Sequence, residues 1–279
     1  MTHRRFHRAL LAVTSLALLL GATGCTKLRA RDQLNKGVQE YKANHFERAI
    51  EHFKNASSLD PSLNVAKLYL ATACATQYVS GVDTPENLAM ADCALENFKK
   101  VLESKPDKQQ QVLSAKGIAS LYLNMKKLEE AKEWNRKAIE LDPKDPDNYY
   151  SIAVIDWTQA YMLGNQRRQE LNIATKPNEP VKDKKVCEEL KEKNGAKVAE
   201  GIDMLTKALE QRKDYDDAMA YMNLLYRQRA DTQCPDLDAA MADLKAADDW
   251  VQKTMDTKKA KAAKASEQHG IVLDQPQGK

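Results

Sequence analysis

The side chains that most often do chemistry in proteins are sparse and scattered in this sequence. His45 and His52 lie seven residues apart with no cysteine or further histidine nearby, so their spacing does not predict a metal site. No glycine-rich phosphate loop and no nucleophile with a nearby base stands out. The adjacent carboxylates fall on charged helical segments typical of solvated surfaces, at Glu129-Glu130, Asp216-Asp217 and Asp248-Asp249. The sequence therefore predicts no catalytic residue, cofactor, metal or small-molecule substrate.

Cys25, the first of five cysteines, ends a distinctive N-terminal segment. Residues 1–24 begin with basic side chains and continue through an apolar run from Ala9 to Leu20. This order is typical of a secretory signal peptide, and the run is too short to span a bilayer comfortably. Residues 22–25 resemble the lipobox of bacterial lipoproteins. The resemblance implies a lipid on Cys25 and a place in the bacterial cell envelope, at the outer membrane facing the periplasm. Plain secretion is the alternative.

Composition argues against a nucleic-acid partner and against one deep core. Lys and Arg number 43 against 40 Asp and Glu, and the excess lies in the segment predicted to be removed. The remaining basic residues alternate with acidic ones, so they form no electrostatic footprint for nucleic acid. With 6% aromatic and 30% charged residues, the chain suits an extended helical array.

The segment from Ala115 to Pro143 reads as two short amphipathic helices that fold back on each other. Its apolar residues recur at three- and four-residue steps, which is the helical period. They are Ala115, Ile118, Ala119 and Tyr122 on the first helix, and Leu128, Ala131, Trp134, Ala138 and Leu141 on the second. Only four residues, 124–127, interrupt the pattern. The two apolar stripes must therefore face each other in an antiparallel hairpin.

This hairpin resembles the tetratricopeptide repeat, which has a period of 34 residues and restricted positions for small and aromatic residues. With Pro143 at repeat position 32, Ala119 and Tyr122 take positions 8 and 11, and Ala131 and Ala138 take positions 20 and 27. The resemblance implies a protein that binds other proteins or peptides and is not an enzyme.

Four other segments repeat the pattern, so we predict an all-α protein, a right-handed α-solenoid of about five helical hairpins. The predicted organisation is a signal peptide at 1–24, a lipid-anchored linker at 25–29, the solenoid at 30–231, a C-terminal capping helix at 236–265 and a disordered tail at 266–279.

Two insertions lengthen the array, near residues 77–88 and 163–196. The first makes repeat two about eleven residues longer than the family period and is expected to prolong both of its helices. Thr84 and Pro85 predict an N-cap and first helical position for the second of these helices. The second insertion separates the helices of repeat four, with a charged helical run at 183–193 before a second helix at 197–212. It either projects as a longer hairpin or folds across the array.

Four cysteines remain in an exported chain once Cys25 carries lipid, and such a chain can keep disulfides. Cys74 and Cys93 lie at similar distances on either side of the repeat-two turn, so an antiparallel hairpin brings them level. Cys187 and Cys234 are placed similarly about the turn at residue 214. These positions predict two bridges; free buried thiols are the alternative.

The resemblance also implies a binding groove, lined in this family by first-helix residues at repeat positions 2, 5, 9, 12 and 13. In repeat four, that face carries an apolar and aromatic row. The flanking first helices add a cation on each side. The predicted groove residues are Tyr150, Val154, Trp157 and Tyr161, with Lys116 and Asn124 on one side and Leu224 and Arg227 on the other. Such a surface suits an extended or helical peptide with an apolar anchor. The alternative is that the repeat-four insertion folds back and buries Trp157 and Tyr161, which leaves no groove.

Three hypotheses follow. The first is a lipid-anchored, non-enzymatic scaffold that holds another protein or peptide. The second is a structural spacer with no ligand in its groove. The third, an enzyme with its site in the repeat-four insertion, is retained because that segment has no family match.

Overall fold

The computed structural model describes residues 25–172 and 179–268, and within them it contains ten α-helices and no strands. The helices are α1 (25–42), α2 (Phe46–Leu59), α3 (Asn64–Gln77), α4 (Pro85–Glu103), α5 (Lys108–Asn124), α6 (Leu128–Leu141), α7 (Pro146–Glu170), α8 (Lys184–Gln211), α9 (Asp216–Ala230) and α10 (Leu237–Gln268). The predicted signal peptide at 1–24 lies outside the described residues.

Neighbouring helices pack as hairpins, which confirms the predicted all-α solenoid. Within the hairpins α3 packs on α4, α5 on α6, α7 on α8 and α9 on α10, and the pairs α2–α3, α4–α5 and α8–α9 pack successive hairpins together. The chain divides into two compact units, Met1–Leu141 (unit 1, with α1 to α6) and Asp142–Lys279 (unit 2, with α7 to α10). Each unit has its own buried apolar residues.

Small residues let the helices of unit 1 approach closely. A Cβ atom on Gly37 would lie 2.5 Å from Cε1 of Phe53, and one on Gly117 would lie 2.3 Å from Cζ of Phe98. Both phenylalanines are buried in the unit 1 core. Each ring therefore occupies the space that a larger side chain on the facing helix would need.

The connections follow the sequence signals closely. The predicted turn is present between α5 and α6 but has three residues, 125–127, because Asn124 still belongs to α5; Lys126 in this turn adopts a left-handed φ of 58°. Thr84 caps α4, because its hydroxyl oxygen accepts a hydrogen bond from the Asn87 N–H at 3.3 Å, and Pro85 is the first helical residue. These caps pair backbone groups that a helix end leaves without partners.

The insertion in repeat two does not prolong both helices as predicted. Helix α3 has 14 residues and α4 has 19, and the rest of the extra length forms the loop at 78–84. The buried Asn87 side chain holds this loop closed: its Oδ1 accepts from the Val79 N–H at 2.7 Å, and its Nδ2 donates to the Val82 carbonyl at 2.6 Å. Closed on itself, the loop does not extend α3.

Two predicted boundaries need correction. Residues 25–29 are helical rather than a linker, because they contain no Gly or Pro and lead into Ala30, which is fully buried. The capping helix extends to Gln268, so the first three residues of the predicted tail are helical. Residues 269–279 lie outside the described part of the chain.

The second helix of repeat four and the charged run before it form one continuous helix, α8. The sequence suggested a break near residues 194–196. Instead, Asn194 is buried and its Nδ2 donates to the Ala160 carbonyl of α7 at 3.0 Å, while Gly195 faces open space. An inter-helix contact therefore replaces the expected interruption.

Candidate functional site

An open groove of about 530 Å³ lies in unit 1 between α3 and α5, the first helices of repeats two and three. Phe98 of α4 and Leu121 of α5 are buried beneath it, while Tyr69 and Leu113 are 38% and 50% exposed. The lining residues are Val65, Leu68, Tyr69, Thr72, Ala75, Thr76, Phe98, Leu113, Gly117, Ser120, Leu121 and Asn124. None of these twelve side chains is charged, so the groove is an apolar surface with a few hydroxyl and amide groups.

Neighbouring helices fix the shape of this groove. The Tyr69 ring stacks on Phe53 with centroids 5.4 Å apart, and the Tyr41 hydroxyl lies 3.1 Å from the Thr76 hydroxyl. Because Gly117 has no side chain, the Phe98 ring can lie directly against α5. The space above that ring stays open.

The hydroxyl groups of Thr72 and Thr76 in the groove can accept further hydrogen bonds. Thr72 donates to the Leu68 carbonyl at 2.8 Å, and Thr76 donates to the Thr72 carbonyl at 2.9 Å. Their oxygens retain acceptor capacity, because a hydroxyl has one donor and two lone pairs. The groove can therefore bury apolar side chains and accept hydrogen bonds from N–H groups.

In unit 2 the predicted aromatic row packs into a cluster. The Trp157 ring lies 5.1 Å from the Tyr161 ring and 5.4 Å from the Tyr221 ring, and Tyr150 contacts both Tyr221 and Tyr215. Burial, followed by nearby Tyr221, raises the pKa of Tyr150 to about 12, so this side chain is neutral at physiological pH. Tyr161 is the exposed end of the cluster, at 45%.

The other predicted groove residues have varied surroundings. Val154 and Leu224 are half-buried on α7 and α9. The guanidinium of Arg227 is engaged within unit 2: one nitrogen lies 2.6 Å from Asp248 of α10, and another donates to Asn223 at 2.9 Å. Of the two predicted residues in unit 1, Asn124 lines the groove and Lys116 does not. A peptide site on the aromatic face of unit 2 stays a prediction.

The repeat-four insertion lengthens the hairpin of α7 and α8, which is one of its two predicted arrangements. Arg167 of α7 donates to Glu189 of α8 at 2.7 Å. Arg168, near the end of α7, pairs with Asp231 at the end of α9. Asp231 Oδ1 also accepts from the Val181 N–H at 3.1 Å. Burial raises the pKa of Asp231 despite the opposing effect of Arg168.

Comparison with known proteins identifies the repeat. The family model "Tetratricopeptide repeat" matches residues 117–145. A crystal structure of MamA protein superposes with a TM-score of 0.55 at 13% identity, over 84% of this chain and 94% of that one. The chain has the tetratricopeptide-repeat fold. MamA 41-end from Desulfovibrio magneticus RS-1 agrees, with a TM-score of 0.54 and 13% identity over 83% and 96% of the two chains. No curated protein sequence matches the chain.

The tetratricopeptide-repeat positions account for the groove that sequence analysis missed. We applied those positions to repeat four and its neighbours, but the open groove lies between repeats two and three. Counted from Asn64, the five groove positions of repeat two are Val65, Leu68, Thr72, Ala75 and Thr76, and all five line it. Leu113 is position 2 of repeat three. The same rule applied to repeat two would have located the groove.

Both predicted cysteine pairs are disulfide-bonded in the structure. Cys74 is joined to Cys93 and Cys187 to Cys234, with Cα atoms 6.0 Å apart in each bridge. Within the described residues, Cys25 is the free cysteine, and it is exposed. The first bridge joins α3 to α4, and the second joins α8 to the segment before α10.

The histidines of unit 1 have ordinary polar neighbours. His45 Nδ1 lies 2.9 Å from Glu40, and His52 Nδ1 lies 2.8 Å from Gln33. Across residues 25–172 and 179–268, no group of three or more His, Cys, Asp or Glu side chains is arranged to hold a metal ion. Over the same residues, no helix is both long and apolar enough to cross a membrane.

Proposed function

We propose that this chain is a non-enzymatic scaffold that holds an uncharged, apolar segment of another protein in the unit 1 groove. The fold supports this proposal, because tetratricopeptide-repeat proteins are generally non-enzymatic scaffolds that bind proteins or peptides. The observation that carries it is the open groove between α3 and α5, whose twelve lining residues include no charge.

The lining chemistry defines the class of partner segment. A charged side chain placed in this groove would lose water and gain no opposite charge from the lining, which is costly. An apolar side chain would lie on the Phe98 ring between Leu68 and Leu113. A volume of about 530 Å³ lies within the common range for ligand pockets and accommodates a few large side chains.

The hydroxyl groups supply the second part of recognition. Thr72 and Thr76 are four residues apart on one face of α3, and their acceptor oxygens can receive N–H groups from a peptide backbone. Apolar side chains would then provide most of the affinity, and these hydrogen bonds would set the orientation.

Selection from a random peptide library tests this function. We expect peptides selected on the chain to be rich in uncharged apolar segments. They should lose binding to Leu113→Lys, which places a charge on the groove rim, and to Ala75→Trp, which fills the groove. The matched control is Leu88→Lys, because Leu88 is similarly exposed on α4 but does not line the groove. Charged peptides, or equal binding to Leu113→Lys, would contradict the proposal.

We also propose that the scaffold is anchored in the bacterial cell envelope by a lipid on Cys25, facing the periplasm from the outer membrane. Residues 1–25 have the order of a lipoprotein signal. Cys25 is exposed and free at the start of α1, while the other four cysteines form the two disulfides expected of an oxidising compartment.

Membrane fractionation tests the anchor. The wild-type chain should stay with membranes after a high-salt wash, whereas Cys25→Ser should be released. Mass spectrometry should find an acylated N-terminal residue at Cys25. Recovery of soluble wild-type protein, or of an unmodified N-terminus upstream of Cys25, would show that the anchor is wrong.

A further inference from the structure

The lipid proposed for Cys25 would attach directly to a folded helix. Helix α1 already includes Cys25, and its Ala30 is fully buried. Three further side chains of α1 pack on the unit 1 core: Leu34, Val38 and Tyr41. Because α1 is part of unit 1 from its first turns onward, a lipid on Cys25 would hold those turns at the membrane surface.

The first two turns of α1 present an exposed leucine among basic side chains. The residues from Cys25 to Arg29 are all exposed, and Leu28 is 70% exposed. Lys27 and Arg29 flank this leucine, and Arg31 is exposed one turn further along. Side chains three residues apart lie on the same face of a helix, so Cys25, Leu28 and Arg31 form one row. A leucine between basic side chains is typical of a helix that lies at a membrane interface.

These two turns are positively charged, although the chain after the predicted signal peptide is neutral. The excess of three basic residues in the whole chain lies within that signal peptide. Asp32 is already paired with a lysine one turn further along α1, at 2.8 Å. Asp60, which follows α2, interacts with two of the cations, because the Ser62 hydrogen bond and, after it, Lys27 and Arg31 lower the pKa of its carboxyl group. Three cations against this one carboxylate leave the start of α1 positive.

We propose that Lys27, Leu28, Arg29 and Arg31 form a membrane-contact surface that binds anionic phospholipid headgroups and seats unit 1 directly on the bilayer. This surface depends on the proposed anchor, because the lipid on Cys25 brings these side chains to the headgroups. Leu28 then lies at the boundary between headgroups and acyl chains, while the long basic side chains bind the phosphates. At 1.5 Å per residue, Arg31 lies about 9 Å from Cys25 along α1. Its side chain therefore reaches a headgroup layer that is about 5–8 Å thick.

Vesicle binding by the chain from residue 25 onward, carrying Cys25→Ser, tests the membrane-contact surface without the lipid. This chain should bind vesicles that contain phosphatidylglycerol more strongly than vesicles of phosphatidylcholine alone, and high salt should remove the difference. The triple variant Lys27→Ala/Arg29→Ala/Arg31→Ala should bind the anionic vesicles about tenfold more weakly or less, because each basic residue adds several-fold to binding near an anionic surface.

The matched control is a second triple variant, Lys54→Ala/Lys108→Ala/Lys126→Ala. It removes the same charge from exposed positions elsewhere in unit 1 and should retain most of the binding. Equal binding of the unsubstituted surface to both kinds of vesicle overturns the proposal, as do equal losses in the two triple variants.

A fluorescent label at position 28 tests the contact in the lipid-anchored chain. In Leu28→Cys the new thiol can be labelled selectively, because Cys25 carries the lipid and the other four cysteines form disulfides. On vesicles this label should be shielded from a water-soluble quencher. The matched control is a label on Met255→Cys of α10, which is 59% exposed and should stay accessible. A label at position 28 that is as accessible as the control overturns the proposal.

The anchor and the membrane-contact surface can fail separately. If the wild-type chain carries no lipid but the Cys25→Ser chain still prefers anionic vesicles, the anchor is wrong and the surface stands. If the chain carries the lipid but the label at position 28 stays accessible to the quencher, the anchor stands and the surface is wrong.

Discussion

The groove of unit 1 and the aromatic face of unit 2 occupy equivalent repeat positions but differ in whether space remains between their helices. Ala75 of repeat two corresponds to Trp157 of repeat four, and Leu68 corresponds to Tyr150. In unit 1 the smaller side chains leave an open groove above Phe98. In unit 2 the rings pack against Tyr221 and Tyr215. The aromatic residues at these positions therefore contact the rings of the neighbouring helix in unit 2, whereas the smaller residues of unit 1 leave a groove.

The largest expected effect is the loss of stability when a disulfide is removed, and it can be compared between the two units. Cys187→Ser/Cys234→Ser should lower the free energy of unfolding by about 4 kcal/mol, and Cys74→Ser/Cys93→Ser by about 3 kcal/mol, because the closed loops span 47 and 19 residues. Urea unfolding under non-reducing conditions measures both. If alkylation without reductant labels all four thiols, both bridges are wrong.

Trp157→Ala tests whether the unit 2 face is core rather than groove. The half-buried Trp157 ring contacts Tyr161 and Tyr221, so we expect a loss of about 2–4 kcal/mol and a melting temperature several degrees lower. Peptide binding to the unit 1 groove should persist. The matched change in unit 1 is Tyr69→Ala, which should weaken peptide binding more than it lowers stability. If Trp157→Ala leaves the stability unchanged but abolishes peptide binding, the unit 2 face is the binding site and the unit 1 groove is not.

Gly117→Ala tests how the open groove is built. The added Cβ would lie 2.3 Å from Cζ of Phe98, so the ring must move into the groove. We expect about 1–3 kcal/mol of destabilisation together with weaker peptide binding. Gly195→Ala is the control, because it adds a methyl group to a helix in open space and should stabilise α8 by about 0.5–1 kcal/mol. Equal effects of Gly117→Ala and Gly195→Ala on stability and peptide binding would show that the position of the Phe98 ring does not determine the shape of the groove.

The smallest expected effect concerns pH and the long hairpin of unit 2. Hydrogen bonds from Arg167 and then Lys193 lower the pKa of Glu189 to about 2. The unfolded chain has the ordinary value near 4.5, so this stabilisation is present above pH 4.5 and is lost as the pH falls toward 2. Thermal unfolding across this range should therefore depend less on pH in Glu189→Gln. The control is Glu192→Gln, an exposed carboxylate on the same helix. If the melting temperature of Glu189→Gln falls with pH as steeply as that of the wild type, the Glu189 carboxylate does not contribute to the pH dependence of stability.

Local signals predicted the hairpins because the helical period, the turn at 125–127 and the Thr84-Pro85 cap are decided by near neighbours in the chain. The repeat positions identify the groove-lining residues of repeat two, but whether the groove between α3 and α5 stays open depends on which side chains fill space across helices. Tyr221 is far from Trp157 in sequence, and nothing local to either residue shows that their rings meet. Likewise, the continuity of α8 depends on a hydrogen bond from Asn194 to Ala160, 34 residues away. Contacts of this kind are not encoded in a repeat pattern.

The ion pair between Asp231 and Arg168 bears on how unit 2 unfolds. Repeat arrays usually couple each repeat only to its neighbours, so their ends can fray independently. Asp231, at the end of α9, pairs with Arg168 near the end of α7 and accepts a hydrogen bond from the Val181 N–H. Local unfolding of any one of these three segments would leave the buried Asp231 carboxylate poorly paired. The amide protons of these three segments should therefore exchange with solvent as one cooperative group.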